Sequence, residues 1–166
     1  GVISNSDLGL SSAILYLVIY TIASLGVFSF IMMLRKENTQ ILNLQALGGL
    51  SQSNSLAAVC MVILLLSMAG IPPFAGFFAK FYIFVSAVES NLLYLAIIGV
   101  IFSVVSAFYY LKIIKIMYMD SQDDSAAFEL DNRMLMFLIF SSIAMLFFIV
   151  FANDFIDFIN NLNIRY

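Results

Sequence analysis

The sequence predicts an all-α, polytopic membrane protein with four transmembrane helices, the second of them discontinuous. Three observations carry that prediction. Of the 166 residues, 63% are hydrophobic and only 10% are charged, and the mean hydropathy is +1.06, a membrane composition rather than that of a soluble core. Four apolar stretches each reach the ~20 residues that a helix needs to cross hydrocarbon. The second stretch also contains Gly70, Pro72, Pro73 and Gly76, a helix-breaking cluster in a run too long for one straight span.

The chain reads as a single membrane domain over 1–166, with spans at 10–34, 56–88, 92–118 and 133–152. It starts at Gly1, and GVISNSDLGLSS lacks the basic flank of a signal peptide, so further sequence is expected upstream. Between the first two spans, RKENTQILNLQALGGLSQSN suits a short amphipathic helix ended by Gly48 and Gly49, with Asn54 or Ser55 capping the next helix. Only a tight turn at 89–91 separates the second and third spans. The acidic connector DSQDDSAAFELDN leads into the fourth, capped by Asp131 or Asn132. Beyond it, FANDFIDFINNLNIRY sets Phe151, Phe155, Phe158, Ile159 and Leu162 on one helical face, so 153–166 reads as an amphipathic tail along the membrane interface.

Orientation follows from the basic residues near the span ends. Arg35, Lys36, Lys112, Lys115 and Arg133 fall on one side and Arg165 on the other, which places the first group in the cytoplasm or mitochondrial matrix. Both termini then face the intermembrane space or periplasm.

An unbroken helix over 56–88 would be ~50 Å long, against a hydrocarbon thickness of ~30 Å. Pro72 and Pro73 have no backbone N–H, so the carbonyls of Met68 and Ala69, four residues earlier, lose their helical donors. The span is therefore expected to break near 68–74 into two half-helices. Irregular backbone at that depth is tolerated where it is buried in protein or lines a wet cavity, and freed carbonyls at the negative end of a half-helix favour a cation there.

Lys80 follows in the same span, ~13 Å inside its outer end at Glu89. An ammonium at mid-membrane costs ~2.5 kcal/mol or more and marks a functional site by default. No Asp or Glu lies within the four predicted spans, so the chain offers Lys80 no carboxylate at that depth. The expected role is proton transfer, with a static, paired lysine as the alternative. On the third span Gly99, Ser103, Ser106 and Tyr110 share a narrow arc that can hold ordered water or simply allow close helix packing.

Composition also excludes whole classes of function. With net charge −3 and no clustered basic residues, nucleic acid is not an expected partner. There is no histidine and one cysteine, so the chain lacks a haem, iron–sulfur or zinc ligand set and no metal or cofactor is expected in it. Cys60, inside LAAVCMVILLL, reads as a small buried hydrophobe.

The stretch LGGLSQSNSLAAVCMVILLLSMAGIPPFAGFFAKFYIF, with its S-x-A-G-I-P-P-x-x-G-F-x-x-K pattern, and the later SAFYYLKIIKIMYMD resemble the NADH dehydrogenase subunit 2 family, called subunit N in bacterial complex I. Its members are antiporter-like membrane subunits, and the likeness runs from about Leu10 to Ile149. Where the family often has Asn-Pro at a helix start, this chain has Asn54-Ser55. The resemblance implies a non-redox, proton-translocating part of NADH:ubiquinone oxidoreductase. Pro72 and Pro73 match the family's second broken helix, and Lys80 the buried lysine that follows it. It also implies that the four spans are the last four of the subunit, the remainder being supplied by a separate chain. Other complex I membrane subunits and lipid would surround it, with flavin, iron–sulfur clusters and quinone held by other subunits. Two alternatives stay open: a purely structural subunit of that complex, and part of a cation/proton antiporter. Phe-, Ile- and Asn-rich usage without Trp suits an AT-rich mitochondrial gene, so the mitochondrial inner membrane is the expected location and the bacterial plasma membrane the alternative.

Overall fold

Ser6 opens the first helix by accepting a hydrogen bond from the Gly9 N–H at 3.1 Å, so α1 (Asp7–Met33) begins three residues earlier than its apolar run. This geometry belongs to a computed structural model that describes residues 1–4, 6–36, 39–40, 43–120 and 131–161. The described residues are helical apart from turns and one pair of two-residue strands, β1 (Arg35–Lys36) and β2 (Thr39–Gln40), which lie antiparallel.

The connector after α1 contains a short helix ended at Gly48, in 3-10 form. It spans Leu44–Leu47 and is started by the Asn43 side chain accepting from the Gln45 N–H. Gly49 then takes a left-handed conformation (φ 69°) ahead of the single-turn helix α2 (Leu50–Ser53). Two glycines in succession end a helix before it can lengthen. Helix α3 (Ser55–Ala69) is capped by Asn54 rather than Ser55, through a bond from the Ala57 N–H at 3.0 Å.

After five non-helical residues the chain resumes as α4 (Ala75–Glu89), turns through Asn91 at φ 59°, and runs on as α5 (Leu93–Met119). Helix α6 (Asn132–Asn161) starts where the Asp131 carboxylate accepts from the Arg133 N–H at 2.9 Å. Its backbone continues past residue 152 without interruption to Asn161. Most of the acidic connector (121–130), Leu162 and Arg165 lie outside the described residues.

Helix α1 packs most extensively against α6 and α4, and α3 against α5 and α6. The core joins Leu15, Ile19 and Phe30 of α1, Met61, Leu64 and Leu65 of α3, Met117 of α5, and Leu138 and Met145 of α6. Ser11, Ser12, Ser141 and Ser142 are buried where small side chains let helices approach closely. The Ser142 hydroxyl donates to the Leu138 carbonyl at 2.8 Å and to the Cys60 carbonyl at 3.1 Å, tying α6 to α3. Cys60 itself is buried.

Helix α5 is the outermost, with Ile97, Ile101, Phe102, Val104 and Phe108 all exposed. By length and apolar character, Leu8–Met33 and Leu93–Met119 can each cross a membrane alone. Ser55–Ala69 is shorter, ~22 Å at 1.5 Å per residue.

Candidate functional site

A helix that ends inside protein must find partners for its last carbonyls. At the end of α3 local structure does half of this. Gly70 adopts φ 81°, its N–H reaches the Ser67 carbonyl at 2.9 Å, and the Ile71 N–H reaches the Leu66 carbonyl at 3.1 Å. This glycine-terminated motif closes the turn but leaves Met68 and Ala69, whose natural donors would be residues 72 and 73. Both are proline, and a proline cannot donate; the peptide bond between them is cis.

The missing donors come from eleven and twelve residues further along. Lys80 Nζ donates to the Met68 carbonyl at 2.9 Å and to the Ala69 carbonyl at 3.1 Å, and also to the Ser103 hydroxyl of α5 at 2.8 Å. Three N–H groups meet three oxygens, all uncharged. The ion pairs among the described residues are Lys115–Asp120 and Arg133–Asp131, both at exposed positions.

The exchange between the half-helices is reciprocal. Helix α4 starts with an N–H of Gly76 that has no partner within its own helix, and the buried Ser67 hydroxyl of α3 accepts from it at 3.0 Å. Ser67 also reaches Met145 Sδ of α6 at 3.3 Å. The contact is close enough that a Cβ on Gly76 would lie 1.9 Å from the Ser67 carbonyl oxygen. Thus α3 caps the start of α4, and α4 caps the end of α3.

Magnitudes explain why the arrangement holds. Burying a carbonyl without a partner costs ~1–3 kcal/mol, and a hydrogen bond to a charged donor contributes ~1.5–3 kcal/mol. An ammonium at the centre of a hydrocarbon layer costs ~2.5–3.5 kcal/mol on insertion scales. Two otherwise orphaned carbonyls and one hydroxyl therefore offset the charge without any carboxylate.

Lys80 also lines a cavity of about 10 Å³, together with Tyr16, Ile19, Tyr20 and Ala23 of α1, Ser67 and Met68 of α3, and Gly76 and Ala79 of α4. That is room for about one water molecule. Tyr16 and Tyr20 stack with ring centroids 5.8 Å apart.

Of the sequence-predicted residues, Gly70, Gly76, Lys80 and Ser103 converge here, while Pro72 and Pro73 are exposed at the break. The rest of the predicted α5 stripe does not join them. The Ser106 hydroxyl bonds to the Phe102 carbonyl of its own helix at 2.9 Å, Gly99 faces the Phe84 ring, and Tyr110 packs against the core. Sequence reasoning missed Ser67, Tyr16 and Tyr20. The i, i+4 spacing of two tyrosines inside an apolar helix was the available signal for that pair.

Residues 1–106 match the family described as NADH:quinone oxidoreductase/Mrp antiporter, TM. The chain is 36% identical over 166 residues to NADH-quinone oxidoreductase subunit N of Pelagibacter ubique, covering 99% of this chain and 35% of the relative. It is 47% identical over 121 residues to NADH-quinone oxidoreductase subunit N 1 of Rhizobium meliloti, covering 72% of this chain and 25% of that one. The chain thus spans only a fraction of the length of these relatives. They are bacterial, and the expected mitochondrial inner membrane finds no support in them. A chain of the respiratory complex I from Thermus thermophilus with bound aureothin shares the fold, with a TM-score of 0.78 at 21% identity over 90% of this chain and 35% of that chain. On the match over residues 1–106, the chain belongs to the NADH:quinone oxidoreductase/Mrp antiporter transmembrane family.

Proposed function

We propose that this chain is part of a non-redox, proton-translocating membrane subunit of NADH:quinone oxidoreductase, and that Lys80 is the group that takes up and releases the proton. The observation that carries this reading is the lysine ammonium held by three uncharged oxygens, in a residue that also lines a water-sized cavity. A group paired with a carboxylate would strand a negative charge on losing its proton; Lys80 strands none within the described residues. In this reading α3 and α4 form one discontinuous span among four, and both termini face the periplasm or intermembrane space, the side to which protons are released. The apolar outer face of α5 meets lipid or neighbouring subunits, and the rest of the subunit supplies the remaining helices. Electron carriers and quinone belong to other subunits of the complex.

The competing reading is a structural subunit in which Lys80 is a permanent cap. It is favoured by one observation: the three partners use all three N–H donors of the ammonium. The experiment is proton translocation by the assembled complex in sealed vesicles, carrying Lys80→Met or Lys80→Arg. Met removes the titratable group at similar length, and Arg keeps a charge that is not shed near neutral pH. Both variants are expected to lower translocation, and quinone reduction with it, in a complex that stays assembled. Wild-type rate and stoichiometry from Lys80→Met would leave Lys80 as a cap and the chain as a scaffold.

A further inference from the structure

We propose that Ser103 is the residue through which Lys80 passes its proton; this rests on the proton-transfer role of Lys80 proposed above. The three partners of Nζ are chemically unequal. The Met68 and Ala69 carbonyls can only accept, so a proton handed towards either has nowhere to go. The Ser103 hydroxyl, 2.8 Å from Nζ, both accepts and donates. It is the one partner that can take a proton and give one up.

An N–H bond of the ammonium breaks as that proton bonds to Ser103 Oγ, and the hydroxyl's own proton leaves to a water molecule. The transferred hydrogen then donates back to the new lone pair on Nζ, so the contact persists with its direction reversed. The neutral amine keeps two N–H groups on the Met68 and Ala69 carbonyls, and the end of α3 stays capped in both protonation states. No bond is lost on proton release, which keeps the break from reorganising in each cycle. A proton reaching Nζ by a route other than Ser103 reloads Lys80, and the Ser103 hydroxyl turns back to accept from the ammonium, so that exit through Ser103 carries net charge in one direction.

The position of Ser103 suits the role. It is the only residue of the Ser103, Ser106 and Tyr110 stripe with a bond to Lys80 among the described contacts, and it brings α5 to a joint otherwise built from α3 and α4. The other titratable groups lining the adjacent cavity are Tyr16 and Tyr20 of α1, and they lie on its α1 wall.

The experiment compares Ser103→Ala and Ser103→Thr in the assembled complex in sealed vesicles, with Lys80→Met alongside. Ala is nearly the size of Ser but lacks the hydroxyl; Thr keeps the hydroxyl and adds a methyl group. The expected result is a loss of proton translocation of roughly tenfold or more for Ala, less than the 10²–10⁴-fold typical of positioned proton transfer because water can enter the vacated place, and substantial recovery for Thr. Equal losses in Ala and Thr would mean that Ser103 is a packing residue and would overturn the proposal. So would normal pumping by Ser103→Ala in a background where Lys80→Met is inactive, and in that case the role of Lys80 would stand. Normal pumping by Lys80→Met would overturn both readings together.

Discussion

At the scale of single residues, two glycines near the break carry different constraints, and substitutions should separate them. At Gly76 an added Cβ meets backbone, the Ser67 carbonyl oxygen at 1.9 Å, and backbone cannot step aside without parting the half-helices. At Gly70 the nearest atom is Lys80 Cδ at 2.9 Å, part of a flexible side chain, and the added strain is that of a left-handed backbone at φ 81°, worth ~1–2 kcal/mol. Gly76→Ala should therefore destabilise the subunit more than Gly70→Ala, in the range of ~1–3 kcal/mol or above that overpacking costs. Thermal dissociation of the assembled complex measures both, and equal or reversed effects would contradict the close approach described. Gly70→Ala has a second expected consequence, reduced proton translocation, because its methyl group presses on the lysine stem. The sequence marked Gly70, Gly76 and Lys80 because glycine, proline and lysine are each anomalous in an apolar span. It could not mark Ser67, since a serine in a membrane helix usually bonds to its own backbone, and only the crossing of α4 brings Gly76 within its reach.

At the scale of elements, the break is built from two failures of helical hydrogen bonding that repair each other. Two prolines withhold the donors for Met68 and Ala69, and Lys80 supplies them; the first turn of α4 has a spare N–H, and Ser67 accepts it. Pro72→Ala/Pro73→Ala restores both backbone donors. In that variant the ladder can continue past Ala69 and compete with Lys80 for its two carbonyls, so the lysine loses its fixed position. The complex should still assemble while its proton translocation falls, measured in sealed vesicles; unchanged translocation would show that the prolines do not set the position of Lys80. This element was legible in part. The identity of the two orphaned carbonyls follows from counting four residues back from each proline, and the preference for a cation there follows from the helix dipole. The fact that the cation comes from the same span is a matter of tertiary geometry that no periodicity encodes. In the connector after α1 the stop at Gly48 was legible, but not that the pieces on either side of Gly48 and Gly49 would be a 3-10 turn and a single α-turn. The stripe on α5 had a correct spacing but split in its contacts: Gly99 and Ser103 meet Phe84 and Lys80 of α4, Ser106 bonds to its own helix and Tyr110 packs against the core.

At the scale of the whole molecule, α5 shows how incomplete the chain is alone. Almost none of that helix is buried, and Ile97, Ile101, Phe102 and Phe108 are exposed together, a contiguous apolar surface of the kind that meets lipid or another subunit. Pro72 and Pro73 are exposed as well, so the irregular backbone of the break also needs a cover, which lipid cannot provide. On the proposed role within a membrane complex, the chain expressed alone should therefore fail to give a folded, monodisperse species in detergent or nanodiscs, and should be recovered when partner chains are present. A stable isolated monomer would contradict this. The all-helical character was legible at this scale because composition and long apolar runs leave few alternatives. The partners were not, since a face that meets lipid and one that meets another subunit have the same apolar composition.

If Lys80 sheds and regains its proton during turnover while staying on its caps, the change is visible in its protonation state in the working complex. Solid-state NMR with isotope-labelled lysine side chains, assigned by comparison with Lys80→Arg, distinguishes an ammonium Nζ from an amine. Under NADH-driven turnover the account predicts that a Lys80 amine signal appears beside the ammonium signal and disappears again when electron transfer is inhibited. A Lys80 signal that remains wholly ammonium, at rest and during turnover alike, would contradict it and leave the lysine a fixed cap on the end of α3.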